Sequence, residues 1–67
     1  GPRSDELARY REYGDPEEIR VFKDAGGGEY QVWFYWSRGL TFAFQDGAEV
    51  FKKSFRKIEA DAGATGD

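Results

Sequence analysis

General acid-base and nucleophilic chemistry near neutral pH draws first on histidine and cysteine, and this chain of 67 residues contains neither. Its candidate nucleophiles, Ser4, Ser37 and Ser54, lie beside no base of a recognisable motif. Glu17 and Glu18 are adjacent carboxylates, but they come directly after Asp15-Pro16, where a helix start or a strand edge accounts for their charge. Without imidazole or thiolate the usual zinc and haem ligands are missing as well. The expectation is therefore no enzyme, no catalytic residue, no metal site and no cofactor. Ala25–Gly28 is glycine-rich, yet a phosphate cradle needs defined glycine spacing and a helix after it, and the next segment here reads as a strand.

Binding chemistry is better supplied. Two Trp, four Tyr and six Phe make up 18% of the chain. Aromatic side chains give a short sequence a dense core, and Trp and Tyr also suit partner surfaces. Four cations, Lys52, Lys53, Arg56 and Lys57, form the single basic cluster in a chain of net charge −3. They are the candidate anion contacts, although a solvated face beside acidic ends is the simpler account of them and the overall acidity disfavours bulk nucleic-acid binding.

These residues must be positioned by a small fold. No apolar run approaches the ~20 residues of a membrane-spanning helix. Gly1-Pro2 reads as the remnant of a protease-cleaved tag, residues 3–58 as one α+β domain, and 59–67 as a flexible acidic tail. Ser4 is a helix cap, Leu7 and Tyr10 an apolar stripe, and Gly14 with Asp15-Pro16 a stop, predicting a helix from Asp5 to Tyr13. Ile19–Lys23, Tyr30–Trp36 and Leu40–Gln45 carry β-branched and aromatic patterns and read as strands. Ala48–Ile58 holds two patterns. A strand over 48–55 completes an antiparallel meander, whereas the alternative helix would gather Phe51, Phe55 and Ile58 on one side.

Glycine turns suggest a register. With Ser37-Arg38-Gly39 as a three-residue hairpin loop, Phe34 falls opposite Phe42 and Val32 opposite Phe44. A four-residue Ala25–Gly28 loop places Val21 opposite Val32 and Ile19 opposite Phe34, and closing Phe44 against Ala48 places Phe42 opposite Val50. The face under the helix then holds Ile19, Val21, Val32, Phe34 and Trp36 together with Leu40, Phe42, Phe44 and Val50, covered by Leu7 and Tyr10. Alternation sends Phe22, Trp33, Tyr35 and Phe51 to the opposite face. These four are the expected partner-binding residues.

The ordered strings Tyr13-Gly14-Asp15-Pro16-Glu17-Glu18-Ile19, Val32-Trp33-Phe34-Tyr35, Gly39-Leu40-Thr41-Phe42-Ala43-Phe44 and Asp46-Gly47 resemble the SmpA/OmlA (BamE-like) small outer-membrane lipoprotein domains. There a helix ends in Gly-x-Pro, and an aromatic W-x-Y strand precedes an F-x-F strand and a glycine turn. A similar string ends GWxTD-type domains. The resemblance implies a non-enzymatic helper or interaction module, located in the bacterial cell envelope. The residues themselves point to a protein-interaction or assembly module, binding another protein or a second copy through an aromatic sheet face or sheet edge. The alternative is a single-stranded nucleic-acid binder, with sheet aromatics as stacking platforms and residues 52–57 tracking phosphates.

Overall fold

A computed structural model describes residues 4–56. Helix α1 (Asp5–Tyr13) precedes strands β1 (Glu18–Lys23), β2 (Glu29–Tyr35), β3 (Leu40–Gln45) and β4 (Ala48–Ser54), with one 3-10 turn at Trp36–Arg38. The strands form a four-stranded antiparallel sheet in chain order. The α+β meander read from the sequence is therefore the fold, and 48–54 is a strand rather than a helix. Lys57 and the acidic tail lie outside the described residues. Among the described residues no helix is long and apolar enough to cross a membrane.

Local chemistry sets the boundaries of α1. The Ser4 hydroxyl accepts the Leu7 N–H at 3.3 Å, and Gly14, at φ 81°, donates its N–H to the Tyr10 carbonyl at 2.7 Å. Positive φ is open to glycine at little cost, so the chain turns out of the helix there. Long-range contacts fix where the helix lies. The Asp5 N–H donates to the Gly47 carbonyl and the Glu49 N–H to the Asp5 carboxylate, pinning the helix start to the β3–β4 turn. Arg9 donates to Glu49 at 2.7 Å and lies 4.6 Å over the Phe42 ring, while Tyr13 stacks on that ring at 5.6 Å. Leu7 and Tyr10, expected to be the buried stripe, are instead about half exposed. Arg9 and Tyr13 are the covering residues.

The register differs from the expected one by a residue in both β2 pairings. Trp36–Arg38 wind into a 3-10 turn closed by Gly39 at φ 70°, so four residues, not three, separate Tyr35 from Leu40. Trp33 then lies opposite Phe42, and Phe34 opposite Thr41. In the first hairpin Asp24 joins the loop, its carboxylate accepting the Gly26 and Gly28 N–H groups at 2.9 and 2.8 Å. Val21 consequently faces Gln31 rather than Val32, and Ile19 faces Trp33 rather than Phe34. A slip of one residue exchanges the two faces of a strand. The core is accordingly Trp33, Tyr35, Phe42 and Phe44 beneath the helix, and Val32 and Phe34 point away from it.

Asp46-Gly47 makes a two-residue turn with φ 53° and 82°, the geometry that matches strand twist in tight hairpins. Beyond it the register shifts at Val50, so that Phe42 faces Lys52, not Val50, and Ala43 faces Phe51. The extra residue is a β-bulge, which bends this edge strand.

Candidate binding face

The helix covers one side of the sheet. The other side carries Arg20 and Phe22 from β1, Tyr30, Val32 and Phe34 from β2, Thr41 and Ala43 from β3, and Phe51 and Lys53 from β4. Its aromatic side chains are ordered in pairs. Phe22 stacks on Tyr30 at 5.6 Å, and Phe34 on Trp36 at 4.6 Å with planes 8° apart. Trp36 also touches Phe55 at 5.5 Å, and the Arg20 guanidinium lies 5.8 Å from the Phe34 ring.

The central strand contributes only small side chains here, and Thr41 and Ala43 are buried at the bottom of the surface. The Thr41 hydroxyl donates to the Trp33 carbonyl at 3.0 Å, so no polar group is left unsatisfied there. Small residues between aromatic rows make a trough. Near Ala43 it opens into a groove of about 460 Å³ walled by Tyr30, Val32, Val50 and Phe51 and ending at Asp24 and Gln45. That volume lies within the range of small-ligand and side-chain pockets. At its end Gln45 donates to Asp24 at 2.9 Å, and this bond, with the loop amides, holds the Asp24 carboxyl below its ordinary value. The groove therefore has an apolar length and an anionic end.

Of the four expected partner-binding residues, Phe22 and Phe51 lie on this open face, 39% and 50% exposed. Trp33 and Tyr35 do not. They are 7% and 2% exposed beneath the helix, where the Trp33 indole donates to Gln31 and the Tyr35 hydroxyl to the Gly14 carbonyl. The reason is the four-residue 36–39 turn, which rotates both inward. The basic cluster is also divided: Lys52 sits opposite Phe42 on the helix side, Lys53 opposite Thr41 on the open side, and Arg56 comes after the last strand. Sequence reasoning places Val32, Phe34, Trp36 and Val50 inward, and so misses most of the groove's walls and its neighbouring ring stack.

Glu17 and Glu18 have a definite structural task. Glu17 accepts both the Ser37 N–H, at 2.9 Å, and the Ser37 hydroxyl; Glu18 accepts the Trp36 indole N–H at 2.9 Å and pairs with Arg20. Together they fasten the turn that sets the β2–β3 register. The hydrogen bonds from Ser37 lower the Glu17 pKa, and those from Arg20 and Trp36 lower that of Glu18. A lowered folded-state pKa means the stabilisation is complete above the ordinary value of 4.5 and is lost as pH falls through the folded value. Thermal melts of wild type and Glu17→Gln across the acid range test this. The wild-type midpoint should fall below pH 4.5 and the variant's acid limb should be shallower, whereas parallel limbs would show that Glu17 does not hold the turn.

Among the described residues no three carboxylates are grouped to hold a metal ion. Comparison of the chain with protein-family models, with curated proteins and with solved structures returned no match.

Proposed function

We propose that the open sheet face is a docking surface for another protein, and that the chain is a non-catalytic interaction or assembly module. The observation that carries this reading is the groove over Ala43, an apolar trough bordered by exposed Val50 and Phe51 on a face that no helix covers among the described residues. Large apolar side chains around a small-residue floor are the make-up of interface centres. The anionic Asp24 end adds chemistry. One Asp24 oxygen already accepts two amide N–H groups, while the other accepts only Gln45 and retains a lone pair for a donor. The partner segment that fits presents a bulky apolar side chain next to a lysine or arginine.

Single-stranded nucleic acid would need free ring faces and cations aligned beside them. Here Phe34 stacks on Trp36, Phe22 on Tyr30, and the basic residues are split between two faces. These features favour a protein partner. The resemblance to SmpA/OmlA domains gives a narrower form of the proposal, an envelope helper.

The experiment is site-specific photocrosslinking in cells of the source organism, with benzoylphenylalanine replacing Phe51 on the open face or Leu7 on the helix. A discrete protein adduct from position 51 and none from position 7 is the expected result. Adducts to nucleic acid from position 51, or equal labelling from both positions, would overturn the reading.

A further inference from the structure

The two edges of the sheet are built differently. The β4 edge is bent by the bulge at Val50 and carries Lys52 and Lys53, which have no ion-pair partner among the described residues. Bulges and edge lysines are the devices that keep sheet edges from pairing with other chains. The β1 edge has neither device in working form. Its pairing with β2 runs from Glu18 to Lys23 without a shift, and it contains no proline. Its charges are engaged within the molecule, Arg20 with Glu18 and Lys23 with Glu29. Its apolar residues are open on both faces, with Ile19 50%, Val21 60% and Phe22 39% exposed.

We infer that β1 pairs antiparallel with β1 of a second copy about a two-fold axis normal to the sheet, with Val21 opposite Val21. The symmetry restricts the choice of register. Such an axis keeps both helices on the same side, so residues facing one another across it must already share a sheet face. Centring on Arg20 would oppose two guanidinium groups, which is unfavourable. Centring on Ile19 or Phe22 would pair only three residues of each strand, whereas centring on Val21 pairs 19–23, with Ile19 against Lys23 at its two ends. Centring on Val21 sets Val21 against its own kind on the helix side, and on the open side it lays Arg20 of each copy against Phe22 of the other, a cation and a ring.

The strand thus complements itself, which argues for a second copy over an unrelated extended segment. The product is a continuous sheet of eight strands, four from each copy, whose two remaining edges are the bulged, lysine-bearing β4 strands. Growth stops at the dimer. The inference does not depend on the docking proposal, because Val21 lies on the helix side of the sheet and outside the groove.

Sedimentation equilibrium from micromolar to millimolar protein tests it, with Val21→Lys and Val21→Cys as the variants. Wild type should pass from monomer to dimer with rising concentration. Val21→Lys should weaken the dimer by roughly tenfold or more, since it opposes two ammonium groups, while keeping the dilute-solution circular dichroism of wild type. The chain has no cysteine of its own, so with oxidised glutathione as the oxidant, itself reduced to two glutathione thiols, Val21→Cys reports the register directly by forming a disulfide-linked dimer, which Lys53→Cys on the other edge should not do. A wild type that stays monomeric throughout, or a dimer that Val21→Lys leaves unchanged, overturns the inference.

Discussion

Phe42→Ala should cost roughly 3 to 5 kcal/mol, the range for truncating a fully enclosed phenylalanine, and should leave a domain this small largely unfolded. Phe42 is completely buried, and its neighbours converge on it: Tyr13 stacks at 5.6 Å, Tyr35 meets it edge-on at 5.9 Å, and Arg9 lies at 4.6 Å. Removing the ring takes away the surface on which the helix rests as well as the ring's own apolar burial. The Arg9 to Glu49 bond would survive, but over a cavity. Lys53→Ala, at an exposed position on β4, is the matched comparison and should fall within about 0.5 kcal/mol of wild type. Urea denaturation followed by circular dichroism reads both. Equal midpoints would mean that the helix does not rest on Phe42.

Trp33→Ala and Phe34→Ala should separate just as sharply, although the residues are neighbours in the chain. Trp33 lies in the core against Phe44 at 4.9 Å, and its truncation should cost roughly 3 to 5 kcal/mol. Phe34 is on the open face and only half-buried, and its loss should cost about 1 kcal/mol, mostly its stacking on Trp36. Reversal of that order in a denaturation series would place β2 in the other register, with Phe34 against Phe42.

Local signals place the elements well. Ser4 and Gly14 bound the helix, and the glycine turns bound the strands, because caps and turns act through the few residues beside them. The face of β2 is not legible in the same way. Tyr30 to Trp36 is apolar or aromatic at almost every position, so alternation offers no preference between faces, and the decision passes to loop length. That length depends on Trp36 joining a 3-10 turn held by Glu17 and Glu18, residues almost twenty positions upstream. The helix poses a similar problem. Its apolar stripe suggests Leu7 and Tyr10, whereas docking is governed by Arg9 reaching Glu49, forty residues away in the chain. Phe22 and Phe51 are legible because their parity survives these shifts; Trp33 and Tyr35 are not, because theirs does not.

The attachment of α1 to the far end of the chain has a consequence for the order of folding. Asp5 and Arg9 reach Glu49 across 44 and 40 residues, whereas each hairpin closes over only a few. Contacts of long sequence separation carry the larger loop-closure penalty and become favourable only once shorter ones have brought their ends together. On the ribosome the helix emerges before the strands. Its landing site, the β3–β4 turn, comes after three of them. The helical segment must therefore wait undocked while the meander assembles, and completion of β4 is the event that closes the domain.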